Sequence, residues 1–237
     1  LFEIGKVFHP IAESELPNEN MRLAGVMSGR RHPASSLLYY GPEAVDINDC
    51  KGTVESIFHE LRVPDVSKTD ATAEAAKIPV YLQADFYLRF EAGGKFVGHL
   101  GKVDNDVLKS FGIKQDVFFF DLDVDVITAL EPEPKVFAPL PKYPSVKWDI
   151  ALVVPEKVPS GDLLDSIKSS GETLVESTEI FDVYRGKGIE KGYKSVALSI
   201  TYRSAEQTLD DPTVNKVHQR LIKMLETGFE GRMRDAG

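Results

Sequence analysis

The sequence contains only one cysteine, Cys50, among its 237 residues. A single thiol excludes an internal disulfide framework and favours a reducing compartment, so we expect a cytoplasmic protein. Long apolar runs are missing as well, because the longest, residues 117–120 and 150–154, have only the length of a strand. A membrane-spanning helix needs roughly 20 apolar residues. The sequence therefore predicts no membrane span.

An initiating methionine and a signal sequence are also missing. Residues 1–5 read Leu-Phe-Glu-Ile-Gly, without the basic and then apolar segment of a secretory leader. The sequence therefore reads as a piece of a longer polypeptide.

An excess of basic residues is absent, since the formal net charge is -9 at pH 7. Because contacts to phosphates need Lys and Arg, this charge argues against a nonspecific nucleic-acid binder. Residues 1–141 contain 14 basic and 22 acidic residues, whereas residues 142–237 contain 14 and 15. The second part can therefore present one basic face, although a solvated hairpin explains the same charges equally well. Five basic residues fall around a predicted hairpin there: Arg185, Lys187, Lys191, Lys194 and Arg203.

The sequence has no pattern typical of a catalytic or metal centre. A catalytic centre needs paired titratable groups, or a nucleophile beside a base, and the five histidines are scattered without the spacing of metal ligands. Asp121, Asp123 and Asp125 could hold a divalent cation from one strand face. Their Cα atoms would lie about 7 Å apart, however, and we favour a solvated face. We expect no catalytic residue, metal or cofactor in this chain.

Prolines mark the predicted boundary between two domains. Five of the 14 residues in 131–144 are prolines, which excludes a helix or a central strand. We predict a first domain over residues 1–131, a linker over 132–141 and a second domain over 142–237.

Periodicity predicts an α+β protein. In the first domain we predict a strand over 21–27, a helix that includes 54–61 and a second helix over 70–77. We also predict a hairpin turn at Gly93-Gly94 and a half-buried strand over 118–126, where apolar and acidic residues alternate. In the second domain the predicted order is strand, helix, strand, strand, helix, strand, which is a ferredoxin-like βαββαβ domain. Its elements are strands over 146–154, 173–184, 195–202 and 232–234, a helix capped by Ser160, and a helix capped by Asp211 that ends at Gly228.

The second domain also combines aromatic, polar and basic residues on its predicted strands. Single-stranded RNA is bound by stacking bases on aromatic rings, by hydrogen bonds to base edges and by cations near phosphates. Tyr184, Asp182, Ser195 and Arg185 supply these functions. The alternative is structural: Phe181 and Val183 pack in the core, and Tyr184 only caps the sheet.

These residues lie in motifs that resemble the ferredoxin-fold anticodon-binding domain at the end of the phenylalanyl-tRNA synthetase large (beta) subunit of bacterial type. The second-domain motifs are Pro-Lys-Tyr-Pro-Ser-Val at 141–146, Asp-Ile-Ala at 149–151, Phe-Asp-Val-Tyr-Arg-Gly at 181–186 and Gly-Tyr-Lys-Ser-Val-Ala-Leu at 192–198. Residues 1–5, 46–55, 98–101 and 120–123 resemble the tail of that subunit's catalytic-like module.

The resemblance implies a noncatalytic role in an enzyme that charges tRNA(Phe) with phenylalanine. The first domain would be the C-terminal part of an antiparallel class II synthetase-like module that has lost its catalytic residues. It would help to assemble two alpha and two beta subunits, and the alpha subunit would perform the ATP- and magnesium-dependent reaction. Tyr184 would stack on the first anticodon base, and Asp182 and Ser195 would bond to base or backbone. We further infer that Arg185, Lys194 and Arg203 hold phosphates.

The sequence departs from the family pattern at several positions. Trp148 stands where a second basic residue is usual, so one phosphate contact is expected to be missing. Residues 83–85 and 101–104 differ from the usual His-Pro-Gly and Glu-Leu-His segments, and the end at 231–234 is looser. Two other classes of function stay open: a structural or protein-interaction module, and a ferredoxin-like regulatory domain for a small molecule. The latter would need a Gly-rich loop, which residues 155–160 lack.

Overall fold

The computed structural model describes residues 1–11, 16–32, 41–70, 78–137 and 139–234. The chain divides into two compact units, Leu1–Val136 and Phe137–Gly237. The division falls within the segment that the sequence predicts to be a linker.

The first unit is built on a six-stranded antiparallel sheet in the order β1-β2-β6-β5-β4-β3. Its strands are β1 (Phe2–His9), β2 (Asn18–Ser28), β3 (Ser67–Asp70), β4 (Leu82–Ala92), β5 (Lys95–Val103) and β6 (Val117–Asp123). Its helices are α1 (Ile47–Leu61), α2 (Asn105–Ser110) and α3 (Val124–Thr128).

Helix α1 covers one face of this sheet because its apolar side chains recur at helical spacing. Cys50, Val54 and Phe58 are at most 4% exposed and pack with Phe90 and Leu122 of the strands. Asp46 caps the helix by accepting hydrogen bonds from the backbone N–H groups of residues 48 and 49. The helix predicted over residues 54–61 is thus confirmed.

Three predictions for the first unit have different outcomes. The hairpin turn at Gly93 and Gly94 is confirmed between β4 and β5. The predicted helix over 70–77 begins on Asp70, which ends β3, and its other positions lie outside the described residues. The predicted strand over 118–126 is correct only to Asp123, whose side chain accepts a hydrogen bond from Val126 N at 2.9 Å and begins α3. The alternating apolar and acidic residues therefore continue past the end of β6 into α3.

The second unit has the predicted ferredoxin-like order, with a four-stranded antiparallel sheet arranged β10-β7-β9-β8. Its strands are β7 (Val146–Pro155), β8 (Val175–Tyr184), β9 (Tyr193–Tyr202) and β10 (Arg232–Met233). Its helices are α4 (Ser160–Ser169) and α5 (Asp211–Gly228). The α+β class is therefore confirmed.

Both predicted helix caps of the second unit are wrong by one position. Pro159 precedes α4 and Ser160 is its first residue, without a side-chain capping bond. Asp210 caps α5 by accepting a hydrogen bond from Thr213 N at 3.0 Å, and Asp211 is already helical. The shift places Pro212 in the first turn, where a missing N–H costs nothing.

Candidate functional site

The sheet of the second unit has one face covered by its helices and one open face. Ile150, Leu152 and Val154 of β7 pack in one core cluster with Leu163 of α4 and Leu221 of α5. Because side chains alternate along a strand, the intervening residues of β7 and β9 point to the other face. We call this surface the open face. It includes Lys147, Asp149, Ala151, Ser195, Ala197 and Ser199.

Three predicted RNA-binding residues meet at one end of the open face. Tyr184 pairs with Ser195, and Asp182 pairs with Ala197, in the β8–β9 register. Asp182 is exposed and Tyr184 is partly buried, whereas Ser195 is only 2% exposed. The sheet thus brings a polarisable ring and a carboxylate to one surface. A bond from Ser195 to RNA stays a prediction.

The ring of Tyr184 is held by contacts on two sides. Its hydroxyl donates a hydrogen bond to the carbonyl oxygen of Lys187 at 3.3 Å. A Cβ atom at Gly186 would lie 2.7 Å from that hydroxyl oxygen, so a glycine is needed for this close approach. The guanidinium of Arg234 lies 5.1 Å from the ring centroid, in cation–π geometry.

Glu156 engages the two predicted phosphate-binding cations nearest to Tyr184. Arg185 Nε and Nη2 donate to Glu156 Oε1 at 2.9 and 2.8 Å, and this contact holds the pKa of the carboxyl below its ordinary value. Lys194 is 5% exposed and its Nζ donates to the Glu156 carbonyl oxygen at 3.1 Å. Burial lowers the pKa of the Lys194 ammonium. Phosphate contacts by Arg185 and Lys194 stay predictions.

The third predicted phosphate-binding residue, Arg203, lies at the opposite end of the sheet. It follows Tyr202, the last residue of β9, and is separated from Ser195 by about 26 Å of strand at 3.3 Å per residue. Its guanidinium donates to Glu176 Oε1 at 2.7 Å and to the Tyr143 carbonyl oxygen at 2.6 Å. Arg203 therefore does not join the cluster around Tyr184.

Two lysines without a predicted role lie in the β8–β9 link. Lys187 and Lys191 are exposed, and neither forms an ion pair among the residues that the structure describes. Both follow Tyr184 within seven positions. Their exposed ammonium groups are therefore accessible to a phosphate.

Phe181 lies outside the core, so its predicted packing in the core is wrong. Its ring is 57% exposed, because the β8–β9 register shifts between Ile180 and Asp182. This β-bulge lets Ile180 and Val183 both pack in the core while Phe181 turns outward. The ring lines a pocket of about 270 Å³ on the open face. Alternation counted back from Val183 places Phe181 in the core, whereas alternation counted from Ile180 places it outside, so the sequence alone has no simple signal for it.

Trp148 lies on the covered face, opposite to Tyr184. Its indole contacts His218 of α5 at 5.0 Å between ring centroids, and His218 Nδ1 lies 2.8 Å from the hydroxyl of Tyr202. Burial lowers the pKa of His218 and raises that of Tyr202. Position 148 therefore serves the core in this chain, and the missing phosphate contact stays a prediction.

The three aspartates considered as cation ligands have other partners, and the predicted solvated face is wrong for Asp121 and Asp123, whereas Asp125 is exposed. Asp121 and Asp123 each form an ion pair with Arg22 at 2.9 Å. Asp125 lies in α3 and accepts a hydrogen bond from Met21 N at 2.7 Å. Across the described ranges, no three His, Cys, Asp or Glu side chains are grouped as a metal site requires. In the same residues, no helix is both long and apolar enough to cross a membrane.

Comparisons with known proteins agree on one family for both units. The family model of the ferredoxin-fold anticodon binding domain matches residues 141–234. The model of the phenylalanyl tRNA synthetase beta chain CLM domain matches residues 1–124.

Similar curated proteins are phenylalanine–tRNA ligase beta subunits. The one from Desulfotalea psychrophila is 46% identical over 241 residues, which cover 100% of this chain and 29% of the relative. The one from Bacillus subtilis is 36% identical over 235 residues, covering 99% and 28%. The one from Geobacter sulfurreducens is 31% identical over 225 residues, covering 95% and 27%. The chain thus spans less than a third of the length of these relatives.

The two domain matches cover most of the chain in the same order as its two compact units. The second match also contains the Tyr184, Asp182 and Ser195 positions on the open face. The chain therefore belongs to the phenylalanyl-tRNA synthetase beta chain family.

Proposed function

We propose that this chain is the C-terminal part of a phenylalanine–tRNA ligase beta subunit and binds the anticodon region of tRNA(Phe). The main support is the cluster on the open face, where Tyr184 offers a stacking surface beside the exposed carboxylate of Asp182. Bases stack on such rings, and carboxylates accept hydrogen bonds from base amino groups.

Phosphates would be met first by the cations that are open to solvent. Arg234 lies against the ring of Tyr184, and Lys187 and Lys191 lie in the β8–β9 link that follows it. Arg185 would join them after release from Glu156. Lys194 and Ser195 are buried, so they would contact RNA only after the side chains around them move. Arg203 would contact only RNA that extends to the other end of the sheet.

We also propose that residues 1–131 support assembly with the alpha subunit in a heterotetramer of two alpha and two beta subunits. The support is an apolar groove of about 340 Å³ between β1, β2 and α1. Phe2, Ile4 and Phe8 of the outer strand β1 are each at least 58% exposed. Exposed apolar patches of this kind are typical of protein interfaces. Mixing the chain with the alpha subunit in sedimentation experiments tests this, and Phe2→Asp with Ile4→Asp should abolish a complex.

In this proposal the chain is noncatalytic. The whole ligase would act in the cytoplasm and would use ATP and magnesium on its alpha subunit, and this part would bind neither. The noncatalytic module would comprise residues 1–131. The linker would comprise residues 132–141, and the anticodon-binding domain residues 142–237.

The test of RNA binding is a titration of a tRNA(Phe) anticodon stem-loop with the full chain, in a salt series and against an unrelated stem-loop. Tyr184→Ala should weaken binding by roughly 1 to 3 kcal/mol, the value of one stacked base. Tyr184→Phe keeps the ring and should lose less. Phe111→Ala removes a 77% exposed ring from the first unit and is the matched control. No preference for the tRNA(Phe) loop at low salt would contradict the proposal.

A further inference from the structure

The pocket beside Phe181 is a second feature of the open face that could contact RNA. It has a volume of about 270 Å³ and is lined by Lys147, Asp149, Glu179, Phe181 and Ser199. This is below the roughly 300–1,000 Å³ of pockets for drug-sized ligands, so it suits a small planar group. Phe181 precedes Tyr184 by three residues on β8, which corresponds to about 10 Å along a strand. The two rings are therefore close enough to contact neighbouring nucleotides of one strand.

The polar groups of the pocket favour a base edge over a phosphate. Two carboxylates and one ammonium give the lining a negative balance. Ser199 Oγ donates to Asp149 Oδ1 at 2.5 Å, which orients the carboxylate and leaves Oδ2 and the second lone pair of Oδ1 as acceptors. The Lys147–Glu179 pair is more than half exposed on both side chains, so it offers little resistance to rearrangement. A group with N–H donors therefore fits this pocket better than an anion.

We propose that this pocket binds a second base of the same RNA strand, stacked on Phe181 and donating an amino or imino N–H to Asp149. The inference rests on the proposed function and adds a subsite to it. A carboxylate matches guanine, whose adjacent N–H donors can meet both oxygens, better than uracil, which has one such donor. The subsite therefore discriminates in favour of amino-bearing bases.

Substituted RNA separates this subsite from that of Tyr184. The full chain is titrated with the anticodon stem-loop and with versions in which each loop base in turn is removed to leave an abasic site. Phe181→Ala should weaken binding of the intact loop about tenfold. On RNA that lacks the base bound in this pocket, Phe181→Ala should weaken binding no further. The position of this base should differ from the one that cancels the effect of Tyr184→Ala.

Two more variants keep the test independent of folding defects. Phe181→Leu retains an apolar side chain without a π-face and should show the same position-dependent loss. Asp149→Asn retains an acceptor for Ser199 but adds N–H donors, so it should reduce the preference for an amino-bearing base over uracil at that position. Trp148 fluorescence during denaturation checks that the second unit is folded, and Phe111→Ala is again the control.

The outcomes distinguish the two proposals. If Tyr184→Ala weakens binding and Phe181→Ala does not, or if Phe181→Ala weakens binding equally with every abasic RNA, the subsite is wrong and the proposed function stands. If the unsubstituted chain fails to prefer the tRNA(Phe) loop, both are wrong.

Discussion

The guanidinium of Arg185 donates two hydrogen bonds to one oxygen of Glu156, at 2.9 and 2.8 Å. The carboxylate of Glu156 is therefore paired with Arg185, the residue that follows Tyr184 in the sequence. Both side chains are about half exposed, at 57% and 46%, so the pair contributes at most about 1 kcal/mol. An RNA phosphate that binds Arg185 must therefore displace Glu156, which is a weak partner.

Removing the carboxylate should strengthen RNA binding. We expect Glu156→Gln to raise affinity for the anticodon stem-loop up to about fivefold at low salt and to steepen the salt dependence, since Arg185 is then available to a phosphate. Titrations at three salt concentrations measure this. Glu60→Gln changes the net charge equally on an exposed residue of the other unit. Equal effects of the two substitutions would show that only net charge matters.

A methyl group at position 186 should displace the ring of Tyr184. The new Cβ would lie 2.7 Å from the hydroxyl oxygen and 2.9 Å from Cζ, so the ring must rotate away from Lys187. We expect Gly186→Ala to weaken stem-loop binding by up to about tenfold, with changed NMR shifts of the Tyr184 ring. Gly161→Ala, where nothing lies within 4 Å, is the control. Unchanged shifts would show that the ring does not depend on the glycine.

Acid should destabilise the second unit through His218. Burial lowers the pKa of His218 in the folded chain, so the unfolded chain binds more protons below pH about 6.5. The free energy of unfolding is then highest above this pH and falls as the pH drops from about 7 through 6.5 toward the folded pKa. Urea denaturation followed by Trp148 fluorescence measures it, because Trp148 is the single tryptophan of the chain. His218→Gln should flatten the pH dependence, and an unchanged slope would contradict this assignment.

The Arg22 network should contribute strongly to the stability of the first unit. Asp123→Ala removes a partner of Arg22 and the cap of α3, and both charged side chains are at most 16% exposed. We expect a loss of about 2 to 4 kcal/mol. The rate of Cys50 labelling in urea reports on this unit, because burial raises the pKa of its thiol to about 12 and protects it until unfolding.

Asp106→Ala is the matched control for that measurement. It removes an ion pair with Lys109 whose side chains are 87% and 74% exposed, and it should leave the stability almost unchanged, because water screens exposed charges. Similar losses for both variants would mean that the Arg22 network is not special.

Elements with a long apolar repeat could be predicted from the sequence, whereas local interruptions could not. The stripe of Val214, Val217 and Leu221 predicts α5 because one helical face must be buried. Alternation fails at Asp123, where one carboxylate accepts a backbone N–H and starts a helix, and at Phe181, where one extra residue enters β8. Such events depend on a partner strand or a single hydrogen bond, and periodicity has no information about either.

The candidate site shows the same division. The motif places Asp182 and Tyr184 correctly on one surface, because residues two apart on a strand share a face. The partners of charged side chains could not be predicted from the sequence. Arg203 pairs with Glu176 at the other end of β9, and Arg185 pairs with Glu156, and neither contact has a sequence signal.

The bulge in β8 also bears on self-association. This strand is an outer strand of its sheet, and the backbone groups along a free edge can pair with the same edge of another copy. The register breaks at residues 175–177 and again at 180–182, so β8 does not form a long regular template. The irregularity that turns Phe181 toward solvent is therefore expected to disfavour edge-to-edge pairing of two copies through β8.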